Sequence, residues 1–215
     1  MALLTLAAGP EWTAPARRVE PPATLTEPVR AALAKDAVDV KSDAGDVVLT
    51  LWLRPAVPVR ATAGQVQNGL TAAEIPQGTL VGAVEFPATF TDYRKQDIPA
   101  GVYTLRSAVQ PAVGDHAGTA PHPDFLILTP AAADLSLDPV DAAELVKRGR
   151  AATGGTHPAV MLVWPHGGKG ARPAVVAKAG GVRVLNLTLA VETDAGGAAK
   201  LGLGLTVAGH SKTRD

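Results

Sequence analysis

The stretch Ile98–Phe125, IPAGVYTLRSAVQPAVGDHAGTAPHPDF, decides the fold class. Pro99 restricts φ and Gly101 supplies a conformation that other residues resist, so Asp97–Gly101 reads as a turn. After it, Val102, Thr104 and Arg106 alternate with Tyr103 and Leu105, the two-residue period of a strand with one face buried. The second half is different in kind: Asp115, His116, His122 and Asp124 fall within ten positions of a Gly/Pro-rich loop.

Outward from this stretch the strand pattern repeats. Val47–Leu53 is β-branched and apolar, bounded by Gly45 and Pro55. Thr79–Phe86, Phe90–Tyr93, Phe125–Leu128, Ala159–Trp164, Ala174–Lys178, Val182–Val191 and Lys200–Val207 read as further strands. Ala179-Gly180-Gly181 and Asp194–Gly197 read as hairpin turns. Ala61–Ile75 has room for a helical turn, and Glu27–Asp36 for a short helix capped by Thr26. One later segment has clear helical spacing, with Asp138 as N-cap, Pro139 at the first position and Val140, Ala143, Leu145 and Val146 on one side. Lys147, Arg148 and Arg150 sit near its carboxyl end, where the helix dipole favours cations. The 22 Gly and 18 Pro of 215 residues are scattered between apolar runs, as in a chain with many turns. The expected fold is therefore mainly β: an antiparallel β-sandwich, jelly-roll or immunoglobulin-like, with one short helix. It spans residues 46–210, and residues 1–45 form a signal-like start and an extended, proline-rich arm.

Composition excludes several classes. Lys+Arg and Asp+Glu balance at 20 each, so the chain lacks the basic footprint of nucleic-acid binding. Zero cysteines removes disulfides, thiol catalysis and thiolate metal sites. No segment approaches the roughly 20 apolar residues of a transmembrane helix. Met1–Gly9, MALLTLAAG, is apolar and ends in small residues, like the tail of an export signal, although it lacks a basic start. Export to the periplasm or cell envelope is the expectation, with a cytoplasmic chain as the alternative.

Asp115, His116, His122 and Asp124 are the candidate ligand-binding residues. The same four are the candidate set for a divalent metal such as zinc, because imidazole and carboxylate suit that ion. The His-x-His pair that places two ligands on one strand face is missing, and His122-Pro123-Asp124 only approximates it. The favoured reading has no cofactor and no catalytic residue: a non-enzymatic protein binding a small molecule, glycan or partner protein through its end loops. The alternative is a metal-dependent enzyme using the His116/His122 loop, with His157 or His166 approaching from another strand end. Trp164-Pro165-His166-Gly167-Gly168 resembles an oxyanion-hole segment, but no G-x-S-x-G follows and the only later serine is Ser211. A Gly-rich turn is the plain reading. Asp134, Asp138 and Asp141 lack the EF-hand spacing and read as solvating the helix entrance. Trp52 and Trp164 lie in apolar strands and read as core; with Trp12 they are the candidate sugar-stacking platforms.

The run TLVGAVEF…TDYRKQDIPAGVYTLRSAVQPAVGDHAGTAPHPDFLILTPAA, with the later THPAV, resembles a family of uncharacterised exported bacterial β-sandwich proteins. Their cores share an "AG-x-Y-T-L-R … GDH-x-G-T-x-P … DF" arrangement, and the likeness covers Leu51 to Val163. The resemblance implies export to the cell envelope and carries no activity. Pro99–Leu105 is also similar to a strand start of transthyretin-like and carboxypeptidase-regulatory-like sandwiches, which speaks to local geometry alone.

Overall fold

The computed structural model describes residues 11–111, 120–166, 172–194 and 196–211. In chain order the strands are β1 (Ala16–Arg18), β2 (Asp36–Lys41), β3 (Val47–Leu53), β4 (Val57–Val59), β5 (Leu80–Phe86), β6 (Phe90–Thr91) and β7 (Asp97–Ile98). They continue with β8 (Gly101–Val109), β9 (Asp124–Pro130), β10 (Val160–Pro165), β11 (Ala174–Ala177), β12 (Arg183–Thr193) and β13 (Ala198–Ala208). The helices are α1 (Glu27–Ala31), α2 (Ala63–Asn68) and α3 (Ala142–Thr153). The fold is mainly β, built on a large and mostly antiparallel sheet.

Eleven strands share that sheet, in the order β1-β2-β3-β5-β8-β9-β10-β13-β12-β11, with β4 added beside β12. The β4–β12 pair is parallel, whereas its neighbour β12–β13 is a long antiparallel hairpin. β6 and β7 form a separate two-stranded hairpin. The sheet begins before residue 46: β1 pairs with β2, and β2 with β3. The proline-rich lead-in thus supplies an edge strand at Ala16–Arg18, where prolines on either side limit its length.

β10 is the hinge of the architecture. Its first half, Val160–Leu162, bonds to β9, and its second half, Val163–Pro165, bonds to β13. The sheet therefore has two limbs that meet along one strand. Val40, Leu51, Leu105 and Leu128 from the first limb share one buried cluster with Leu187, Leu189, Leu203 and Leu205 from the second. The other face of the first limb is covered as well. Val29 of α1 packs with Trp52, Leu80 and Ala83, and Leu145 of α3 packs with Phe125, Ile127 and Leu162.

That double covering corrects the one-face reading of β8. Thr104 and Arg106 are buried along with Tyr103 and Leu105. Arg106 is fully buried because Asp134 is buried beside it, with Arg106 Nε 2.7 Å from Oδ2 and Nη2 2.8 Å from Oδ1. Nη1 donates to the carbonyls of Gly78 and Asp138, and Nη2 to that of Ser136. A guanidinium has five N–H donors, and here each has an acceptor. Thr104 Oγ1 adds a 2.6 Å bond to Asp134. Asp134 is therefore a buried counter-ion and does not solvate the helix entrance.

The helix starts later than its sequence suggests. Asp141, and not Asp138, is the N-cap, accepting from the backbone N–H of Ala143 and Glu144. The Asp138 carbonyl is occupied by Arg106, which holds that segment out of the helix. α3 ends on Gly154 in the left-handed conformation, φ 66°. It lies close against the sheet at Gly149, where an added Cβ would fall 2.6 Å from Ile127 Cγ2 and 2.7 Å from Pro158 Cβ. Among the described residues, no helix is long and apolar enough to cross a membrane.

Candidate functional site

His122 and Asp124 enter the site from the start of β9, and Trp164 and His166 from the end of β10. Pro165 ends the β10 pairing, so the chain leaves the sheet with Trp164 half-buried, packed at the margin of the cluster formed by Phe125, Ile127 and Leu162. The core reading therefore holds for Trp164 in part, since it packs on the core without being fully buried; Trp52 is buried and donates from Nε1 to the Val19 carbonyl. Trp164 Nε1 donates to Thr206 Oγ1 at 2.8 Å, which fixes the indole plane against β13. The His122 ring meets it edge-on at 4.9 Å, and Lys178 Nζ lies 5.7 Å from the ring centroid. The Lys178 contact is a cation–π geometry.

A groove of about 480 Å³ opens beside this aromatic group. Asn68, Thr71, Asp124, Trp164, His166 and Lys200 contribute to its walls. The Thr71 hydroxyl is committed to a capping box with Glu74. Asn68, His166 and Lys200 make no side-chain hydrogen bond or ion pair among the described residues.

Electrostatics couple the histidine and the carboxylate. Burial pushes the Asp124 carboxyl above the ordinary aspartate range, Glu74 adds to the rise, and His122 opposes it. His122 is pushed below the ordinary histidine value, first by burial and then by the positive charge of Lys178, with Asp124 acting the other way. The shift favours the neutral imidazole, in which one nitrogen accepts and the other donates.

Of the four residues expected to form one site, the structure brings His122 and Asp124 together. Asp115 and His116 lie outside the described residues. No three His, Asp or Glu side chains come together as a metal set among the described residues. His166 joins Asp124 in the groove, while His157 lines a different cavity at the other end of β10. The six residues of that strand separate them by roughly 20 Å. The glycines of the His-Gly-Gly run, Gly167 and Gly168, also lie outside the described residues.

Sequence reasoning missed Asn68 and Lys200. They come from distant elements, and only the strand order brings them beside β10. It also missed Asp92, a fully buried aspartate in the β6–β7 hairpin. Asp92 Oδ1 accepts from the backbone of Arg94 and Gln96, and Oδ2 from Gln96 Nε2 and the Val160 backbone. Burial pushes its carboxyl upward, and these hydrogen bonds resist the shift. TDYRKQD carries no spacing signal that separates the buried Asp92 from the exposed Asp97. Comparison of the chain with protein-family models, with curated proteins and with solved structures returned no match to any of them.

Proposed function

We propose that this chain is a non-enzymatic binding protein of sandwich architecture, whose two layers are the limbs that meet at β10. Its groove beside Trp164 takes a polar, hydroxyl-rich ligand of the glycan type. The observation that carries the reading is the half-buried Trp164 set beside Asp124, Asn68, His166 and Lys200 in one groove of about 480 Å³. An apolar ring face next to uncommitted donors and acceptors suits a molecule with an apolar sugar face and a hydroxyl rim. The signal-like Met1–Gly9 and the resemblance of Leu51–Val163 to exported bacterial proteins support a periplasmic or cell-envelope location.

The test uses tryptophan fluorescence on titration with cellohexaose and with chitohexaose. Saturable change with either oligosaccharide, lost in Trp164→Phe and weakened at least tenfold in Asp124→Asn, is the expected result. No saturable response, or an unchanged response in Trp164→Phe, overturns the reading. Elemental analysis of chelator-free protein addresses the metal-dependent alternative. Stoichiometric zinc lost in His122→Ala would replace the glycan reading with a metal site.

A further inference from the structure

A second cavity, of about 200 Å³, lies on the α3 side of the sheet and shares no described lining residue with the Trp164 groove. Its inner wall is Phe125 and Ile127 of β9, Val160 of β10 and Val146 of α3. These positions follow from two periods. Phe125 and Ile127 alternate with Leu126 and Leu128, which face the main core. Val146 stands four residues from Arg150, so both lie on one helix face.

The rest of the lining includes Arg94, half-buried, and Arg150, exposed. Three basic residues end α3, and two are accounted for. Lys147 and Arg148 both bond to Glu144, and Arg148 also approaches Asp134 at 3.6 Å. Arg150 makes no ion pair among the described residues, nor does Arg94, and no carboxylate lines the cavity among those residues. Two guanidiniums beside an apolar pocket, with no described carboxylate paired to either, form a positive site.

This site is also held in place from behind. Asp92 fixes the turn that carries Arg94 and accepts from the Val160 backbone. Gln96, bonded to Asp92, donates to the Pro158 carbonyl at 3.0 Å. One buried carboxylate thus ties the Arg94 turn to the wall opposite, so the geometry is set before a ligand arrives.

We propose that this cavity is a second binding site, for a small amphiphilic carboxylate. The apolar tail lies among Phe125, Ile127, Val146 and Val160, and the carboxylate is held by Arg94 and Arg150. An apolar cavity of roughly 150 Å³ accommodates benzene, so this one takes a chain or ring of roughly six to eight carbons and not a two-chain lipid. A planar carboxylate matches the forked guanidinium geometry.

Calorimetric titration of the full chain with sodium octanoate, with octan-1-ol as the uncharged control, tests the assignment. One saturable octanoate site is expected, with the alcohol at least tenfold weaker. Arg94→Gln with Arg150→Gln should bring octanoate to the level of the alcohol, with an unchanged circular dichroism spectrum. Val146→Trp, filling the cavity from the helix side, should abolish binding, and Trp164→Phe should leave it intact. Absence of octanoate binding, equal affinity for acid and alcohol, or an unaffected Arg94/Arg150 variant would overturn the proposal. Loss of octanoate binding in Trp164→Phe would overturn it as well, by moving the ligand to the other groove.

Discussion

Arg106 and Arg150 are the same side chain in opposite circumstances. Arg106 is sealed between β8 and the segment before α3, with every donor accepted by Asp134 or a backbone carbonyl. Arg150 stands exposed beside an apolar cavity and has no ion-pair partner among the described residues. A closed charge of the first kind holds architecture: it staples residues 134–138 to the sheet and sets where α3 begins. An open charge of the second kind contributes little to folding and is available to a ligand. The difference lies in how many acceptors the fold has already supplied.

The largest effect is expected at Asp134. Asp134→Ala leaves Arg106 buried and unpaired, and should cost about 3–5 kcal/mol in urea denaturation. The double variant Arg106→Met with Asp134→Leu should lose much less than Asp134→Ala, because it removes both charges. A double variant no more stable than Asp134→Ala would mean that the backbone bonds, and not the pairing, dominate.

Asp92 comes next. Asp92→Asn places an amide N–H against the Val160 donor and should cost about 1–3 kcal/mol. Its pH dependence has a defined sign. The folded carboxyl is raised above the ordinary value of 3.8, so the native state holds its proton longer than the unfolded chain. Its contribution to stability is greatest below that value and declines as pH rises from there to the raised pKa. Stability measured against pH should show this decline in the native chain and not in Asp92→Asn.

Smaller effects sharpen the open side of the comparison. Arg150→Gln should change stability by about 0.5 kcal/mol or less, as for an exposed side chain with no ion pair among the described residues. At the other site, His122 should titrate below 6.5 by NMR, and Lys178→Met should raise that value by removing a cation. Below its ordinary pKa the unfolded chain gains the proton first, so the contribution of His122 to stability is lost as pH falls through that window.

Much of the strand content was legible, since Pro99, Gly101, Gly180 and Gly196 punctuate the apolar runs that became strands. The burial of β8 was not. Alternation at Val102–Arg106 reads as one exposed face, and only helix packing on the far side, with Asp134 at a sequence distance of 28, makes a buried arginine tolerable. Asp138 was mistaken for the cap because local spacing cannot show that its carbonyl is taken by Arg106. Of the site, His122 and Asp124 could be nominated from residue type. Their neighbours Asn68, Lys200 and Lys178 arrive through strand order, which no local pattern encodes. A binding role for Arg94 and Arg150 was not legible for the same reason: whether a basic residue has an acidic partner among the described residues emerges only from the fold.

The most direct test is an amide and methyl NMR perturbation map of the full chain, with cellohexaose or chitohexaose and then octanoate added separately. Two distinct sets of shifts are expected, one at the carboxyl end of β10 and one on the α3 side of the sheet. The saccharide that binds should move Asp124, Trp164 and Lys200; octanoate should move Ile127, Val146 and Val160; the Arg106 region should stay still. A single overlapping set, or shifts centred on Arg106, would contradict that expectation.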